Sequence, residues 1–153
     1  MSDDVIAKLR QHDELLRSNF FGMLSTVRAS DGLLSTNPVG FVWDGESIRI
    51  STLKSRLKYG NLKNNALATF VVMSPKNAMY YVEVRGTATL EEDPDRSFAR
   101  LQFKTGSGGI EPPADMDPPN SERVIIRLQP QQVSSPTLYG GRFDDMAKGK
   151  SQQ

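Results

Sequence analysis

The chain has 153 residues, a formal net charge of +1, 37% apolar residues and 24% charged residues, a composition typical of one soluble globular domain. It has no cysteine and one histidine, which excludes disulfides, thiolate metal sites and histidine clusters. No signal peptide and no run of about 18 apolar residues is apparent, so we expect a cytoplasmic protein without a membrane span.

The chain opens with a predicted helix. Asp3 and Asp4 start the pattern, and apolar residues at roughly helical spacing continue it to about Ser18. The single histidine, His12, lies in this polar stretch and is expected to be a solvated helix residue.

Three strands joined by two Asp-Gly turns are predicted next. They cover residues 20–29, 33–43 and 47–52, and the turns fall at Asp31-Gly32 and Asp44-Gly45. Tight turns of this kind join neighbouring antiparallel strands, so we predict a three-stranded meander.

The remaining segments continue the alternation of strands and helices. A short helix capped by Ser55 is predicted to run to Asn64, and Gly86 indicates a bend or a close backbone approach within a later strand. The other predicted segments are strands at 66–73, 79–90, 123–129 and 132–138, a helix from Asp93-Pro94 to Lys104, a Gly/Pro loop at 105–121 and a disordered tail at 143–153.

About six or seven strands without regular βα alternation predict a mostly β chain. An antiparallel β-barrel with flanking helices leaves the fewest exposed strand edges. We therefore expect a single barrel domain over residues 1–142.

A cationic segment follows the third predicted strand. No acidic residue lies between Glu46 and Glu83, whereas six cations do: Arg49, Lys54, Arg56, Lys58, Lys63 and Lys76. Four of them fall within residues 54–63, where a strand leads into a helix. Helix N–H groups and cationic side chains together bind phosphate well, although a charge run can also be an ordinary solvated helix face.

Several short motifs agree in order and spacing with one known family. They are residues 22–27, 31–32, 35–41, 44–45, 48–52, 56–62 and 81–88. With these motifs the chain resembles the split β-barrel flavin and deazaflavin reductases of the pyridoxamine-5′-phosphate-oxidase-like superfamily, which include FMN-binding proteins. The resemblance covers roughly residues 16–92.

This resemblance implies a homodimer with a phosphorylated redox cofactor in a groove between subunits. Arg56 and Lys58 would hold the phosphate, with Ser55 nearby, and Asn61 belongs to the same motif. The residues implied to face the ring and its sugar-like chain are Ser35, Thr36, Asn37, Pro38, Val39, Ser51 and Thr52.

Two cofactors share the ring, ribityl chain and phosphate that such a groove would bind. They are FMN and the deazaflavin coenzyme F-420, which adds a polyanionic glutamate tail. Lys54, Lys63 and Lys76 provide positive charge beyond the phosphate site, and the motif at 56–62 is similar to that of the deazaflavin branch, so F-420 is favoured.

The function implied is hydride transfer between the cofactor and a planar conjugated small molecule, such as an enone, a quinone or a tetrapyrrole-like compound. Such chemistry needs no protein nucleophile, and no catalytic residue is assigned. One alternative is an FMN enzyme of the pyridoxamine phosphate oxidase type, which would need a second cationic pocket that Arg123, Arg127 and Arg142 do not clearly form.

Two further alternatives are not enzymes. A barrel that only sequesters or carries the cofactor, or a heme-like ligand, would have the same motifs. A nucleic-acid-binding barrel is disfavoured because only Tyr59 is interleaved with the four central cations, and the pI is about 8.0.

Overall fold

The computed structural model describes residues 3–142, and the tail expected at 143–153 lies outside the described residues. Its strands are β1 (Phe21–Val27), β2 (Leu34–Gly40), β3 (Val42–Trp43), β4 (Ile48–Leu53), β5 (Leu67–Met73), β6 (Tyr81–Glu92) and β7 (Arg123–Ser134). Its helices are α1 (Asp3–Arg10), α2 (Asp13–Arg17), α3 (Leu57–Asn64) and α4 (Ser97–Ser107), and a 3-10 turn follows at Leu138–Gly141.

All seven strands form one antiparallel sheet in the order β2-β1-β5-β6-β7-β4-β3. The mostly β, split-barrel class is thus confirmed. The predicted meander is confirmed where β1 pairs with β2, but its second pairing is limited to the two residues of β3, because the main partner of β4 is β7. The expected second strand breaks at Phe41, and its two parts become opposite edges of the curled sheet.

The last two predicted strands are one continuous strand, β7. Residues 130–131, which separate the two predicted strands, lie at a β-bulge opposite Gly86, where the pairing shifts from Arg85–Gln132 to Gly86–Pro130. A Cβ on Gly86 would overlap the carbonyl oxygen of Gln129. The predicted close backbone approach is therefore confirmed, and Pro130 is accommodated because the bulge does not need its missing N–H.

The first predicted helix is two helices, divided at Gln11–His12. The His12 N–H donates to the carbonyl of Leu9 at 3.0 Å, which tightens the turn and directs both Leu9 and Leu15 into the core. His12 is half-buried, and its Nδ1 lies 2.9 Å from the hydroxyl of Tyr80. The expectation of a solvated helix residue is thus wrong.

The hydrophobic core lies inside the curled sheet. Phe70, Ile50 and Ile126 are fully buried there, and α1, α2 and α3 contribute four leucines, namely Leu9, Leu15, Leu16 and Leu62. Helix α4 packs outside the sheet against β4, with Phe98 beside Arg49.

The two later helices begin after the predicted positions. Arg56, not Ser55, is the N-cap of α3, and α4 starts at Ser97, beyond Asp93-Pro94. Asp93 nevertheless serves α4, because its buried carboxylate accepts the N–H groups of Phe98 and Ala99. Within residues 3–142, none of the helices has the length and apolar character needed to cross a membrane.

Candidate functional site

A groove of about 510 Å³ opens where β2 and β4 approach each other without pairing. It is lined by Asn37, Pro38, Val39 and Gly40 of β2, Ser51, Thr52 and Leu53 of β4, and Arg56, Lys58 and Arg123. Its volume falls in the range of ordinary small-molecule sites. The groove therefore combines the unpaired gap between β2 and β4 with the cationic start of α3.

Gln102 of α4 bridges the gap between the two strands. Its Oε1 accepts the backbone N–H of Ser51 at 2.8 Å, on the side of β4 that does not pair with β7. A Cβ on Gly40 would lie 3.0 Å from Nε2 of Gln102, so the glycine leaves room for this amide. A side chain thus replaces the strand pairing that a closed barrel would have here.

The residues of the groove that are best suited to bind an anion lie at the start of α3. Among residues 3–142, the side chains of Arg56 and Lys58 make no hydrogen bond or ion pair, and no side chain caps the helix. Burial, and then repulsion by the Arg56 guanidinium, lowers the pKa of the Lys58 ammonium. Two uncompensated cations beside open helix N–H groups suit a phosphate.

The third cation of the groove, Arg123, is already paired. Its Nε donates to Oδ2 of Asp117 at 2.8 Å, and its Nη2 donates to Oδ1 at 2.5 Å. Its Nη1 donates to the Ser51 hydroxyl at 3.2 Å. Hydrogen bonds from Arg123 hold the pKa of Asp117 below its usual range, so this carboxylate from the Gly/Pro loop stays charged beside the groove.

The structure brings seven of the sequence-predicted site residues to the groove: Asn37, Pro38, Val39, Ser51, Thr52, Arg56 and Lys58. Ser35, Thr36 and Ser55 do not line it. Side chains alternate along a strand, and Thr36 points to the opposite face, where its hydroxyl lies 2.7 Å from that of Ser25. Thr52 is only 5% exposed, so its side chain faces mainly the core.

Asn61 does not line the groove, and its side chain is engaged elsewhere. Its Oδ1 accepts the backbone N–H of Ala29 at 3.0 Å, and its Nδ2 donates to the hydroxyl of Thr26 at 3.1 Å. These bonds fasten α3 to the end of β1. Asn61 therefore positions the cationic helix start from a distance.

The other cations of the basic segment lie outside the groove lining. The Lys54 ammonium pairs with Glu92 at 2.9 Å and with Glu122 at 3.4 Å, and the Lys63 ammonium lies 5.5 Å from the ring centroid of Tyr59. The acidic partners of Lys54 come from distant parts of the chain. The absence of acidic residues between Glu46 and Glu83 therefore does not leave Lys54 without acidic neighbours in the folded protein.

Sequence reasoning missed Gln102, Asp117 and Arg123 as site residues. Gln102 lies in a helix and Asp117 in a loop without a recognisable motif, and both are far along the chain from β4. Of these three residues, only Arg123 could have been suspected from the sequence, because it is a charged residue at the start of an apolar strand.

The family model described as pyridoxamine 5′-phosphate oxidase matches residues 9–135. The chain belongs to this family. No curated protein matches the chain by sequence. The family assignment agrees with the split barrel and with the motifs at 35–41 and 56–62.

Three solved structures of this fold are similar to the chain. An F-420 reductase is 36% identical, with a TM-score of 0.69, and the match covers 80% of this chain and 94% of that one. A putative pyridoxamine 5′-phosphate oxidase from Listeria innocua is 19% identical, with a TM-score of 0.63 and coverage of 83% and 97%. A heme-binding protein from Mycobacterium smegmatis is 17% identical, with a TM-score of 0.63 and coverage of 92% and 57%.

Proposed function

We propose that the protein is an oxidoreductase that binds a phosphorylated flavin-type cofactor, with the deazaflavin F-420 favoured over FMN. The observation that carries the proposal is the pair of uncompensated cations, Arg56 and Lys58, at the mouth of the groove. The half-buried Lys58 ammonium beside another cation is unfavourable until an anion joins them. The residues present therefore fit a cofactor phosphate.

The preference for F-420 is supported by the 36% identical F-420 reductase. Charge gives it little support, because Lys54 is compensated by two glutamates and neither Lys63 nor Lys76 lines the groove. A pyridoxamine phosphate oxidase activity is disfavoured, since Arg123 and Arg127 are paired with Asp117 and Glu91 and leave no second free phosphate site between them.

A cofactor of this kind supplies a hydride, while the protein orients the ring and its substrate. Arg56 and Lys58 hold the phosphate end, and Asn37, Val39 and Ser51 surround the rest of the groove. The substrate class that suits this chemistry is a planar conjugated molecule, which accepts the hydride, with its two electrons, and one further proton from solvent.

The experiment that tests binding compares FMN, F-420 and riboflavin by fluorescence titration. The variant Arg56→Gln/Lys58→Met should weaken binding of both phosphorylated cofactors by about 2–4 kcal/mol and leave riboflavin almost unchanged. Lys63→Gln, on the same helix, is the matched control and should bind like the wild type. Unchanged affinity in the double variant would contradict a phosphate-binding role and would show that Arg56 and Lys58 belong to an ordinary solvated helix face.

A second experiment separates an enzyme from a carrier. Reduced cofactor bound to the protein is mixed with enones and quinones in a stopped-flow instrument. We expect at least one acceptor to oxidise the bound cofactor faster than it oxidises the free cofactor. Oxidation at the protein-free rate throughout the panel would favour a carrier that does not turn over.

We also propose that the protein is a homodimer, joined through the outer face of β2, β1 and β5. Five large apolar side chains are exposed on this face: Phe21, Met23, Leu34, Leu67 and Met73. Their register places them together, with Met23 between Pro38 and Val71. Pro38 belongs both to this face and to the groove lining, so a second copy would complete the wall of the groove.

Light scattering coupled to size-exclusion chromatography tests the dimer. Leu34→Glu should give a monomer with weakened cofactor binding, because a charge would be buried at the interface. Leu101→Glu, at an exposed position on α4, is the control and should remain dimeric. A monomeric wild-type protein would contradict this assembly.

A further inference from the structure

Ser51 is the most firmly held polar residue of the groove. Its backbone N–H donates to Gln102, and its hydroxyl oxygen receives a hydrogen bond from Nη1 of Arg123. Two elements distant in sequence, α4 and the start of β7, therefore converge on one residue, the first at its backbone and the second at its side chain. Such double support is more than packing alone requires of a half-buried serine.

The chemistry of the partners sets the direction of each bond. A guanidinium can only donate hydrogen bonds, so the Ser51 oxygen must be the acceptor in its contact with Arg123. The hydroxyl proton of Ser51 then remains available, and within residues 3–142 the structure gives it no acceptor. A hydroxyl that accepts from a cation is also a stronger donor than a free one.

Asp117 prevents Arg123 from turning away. The carboxylate binds two nitrogens of the guanidinium, and the Asp117 side chain is only 2% exposed. Bidentate pairing fixes the plane of the guanidinium and leaves Nη1 aimed at Ser51. The pair also compensates the charge of Arg123, which distinguishes this cation from Arg56 and Lys58.

We propose that Arg123, locked by Asp117, is a positioning residue that fixes the Ser51 hydroxyl as a hydrogen-bond donor to the cofactor. The inference rests on the proposed function and adds to it a recognition element: the acceptor is a carbonyl or phosphate oxygen of the ligand in the groove. Arg123 acts through Ser51 and makes no direct contact with the ligand.

A mutant cycle on FMN and F-420 affinity tests this assignment. Ser51→Ala should raise each Kd about 3–10-fold, the effect of one lost hydrogen bond, whereas Ser51→Thr keeps the hydroxyl and should restore binding. Arg123→Met/Asp117→Asn removes the lock without leaving a buried charge unpaired and should also raise Kd about 3–10-fold. In the Ser51→Ala background, however, the Arg123→Met/Asp117→Asn change should not raise Kd any further.

An additive effect would show that Arg123 contacts the ligand directly and would overturn the positioning role. If the Arg123/Asp117 variant fails to fold, the absorption spectrum of bound cofactor in Ser51→Ala and Ser51→Thr decides the matter. We expect a shift in the alanine variant that the threonine variant reverses. Identical spectra and affinities in all three proteins would refute the donor role.

The cycle also separates this inference from the function on which it rests. If the wild type binds neither cofactor, the proposed function fails. If binding is tight and depends on Arg56 and Lys58, but Ser51→Ala has no effect, only the role of Ser51 and Arg123 fails.

Discussion

The Lys58 ammonium is repelled by the Arg56 guanidinium at the mouth of the groove. Burial lowers the pKa of Lys58 below its usual 10.5, and the neighbouring charge lowers it further. A bound phosphate would oppose both effects and raise the pKa of Lys58, because an anion at this place stabilises the charged ammonium. Cofactor binding and protonation of Lys58 are therefore coupled.

This coupling predicts that affinity for FMN falls as pH rises through the lowered pKa of Lys58. In that range the free protein has lost a proton that the complex retains, so binding must take up a proton. Arg56→Gln should weaken binding at neutral pH and also move the pH midpoint upward. Titrations at alkaline pH check this, with riboflavin as control for titration of the ring. An equal pH dependence for FMN and riboflavin would contradict it.

The buried carboxylate of Asp93 should be a main determinant of the stability of α4. It accepts the N–H groups of Phe98 at 3.2 Å and Ala99 at 3.0 Å, in place of a normal N-cap side chain. We expect Asp93→Ala to lower the free energy of unfolding by about 2–3 kcal/mol in urea titrations. The exposed Asp95, whose carboxylate accepts the Ser97 N–H, is the control. Asp95→Asn should lower it by less than about 1 kcal/mol.

Two glycine-to-alanine changes should have opposite effects. A Cβ on Gly86 would collide with the Gln129 carbonyl at the bulge, so Gly86→Ala should destabilise the protein by about 3 kcal/mol or more. Gly60 lies inside α3, where a Cβ would meet no other group within 4 Å, and alanine there should stabilise by about 0.5–1 kcal/mol. Thermal unfolding measures both, and similar melting temperatures would contradict the close approach at Gly86.

His12 should make stability depend on pH in a narrow window. Burial lowers its pKa below the usual 6.5. At a pH between the folded-state pKa of His12 and 6.5, the unfolded chain binds a proton that the folded chain does not. The contribution of His12 to the free energy of unfolding is therefore fully present above pH 6.5 and declines as pH falls toward the folded-state pKa. His12→Gln can still bond to Tyr80 but does not titrate.

Urea titrations between about pH 5 and 7.5 test the role of His12. The free energy of unfolding should rise with pH in the wild type and change little in His12→Gln. Asp13 and Asp44 also have lowered pKa values, but they affect stability only at more acidic pH. Parallel curves for the two proteins would assign the pH dependence to other groups.

Local patterns are sufficient to predict most elements of the fold. Both Asp-Gly turns lie at the predicted positions, with positive φ at Gly32 and Gly45. Alternation identifies β4 and β6, and a continuous apolar run identifies β5. Local patterns do not, however, predict which strands pair with each other. The turn at Asp44-Gly45 joins β4 only to the short β3, while the main partner of β4 is β7, far along the chain.

The candidate site is predictable where its residues are close in sequence to a motif. Arg56, Lys58 and Ser51 can be found because a strand, a turn and a helix start follow one another along the chain. Gln102 and Arg123 reach the groove only through tertiary contacts, and Asn61 is turned away by the need to satisfy the polar groups of Ala29 and Thr26.

The partnership of β4 with β7 has a consequence for biogenesis. On the ribosome, the strand that carries Ser51 emerges long before residues 123–134, and until then it can pair only with the two residues of β3. The ligand-binding groove therefore matures last, when the end of the chain is released. A translation product that stops before Arg123 should be unable to retain any coenzyme, even if β1 and β2 have already paired.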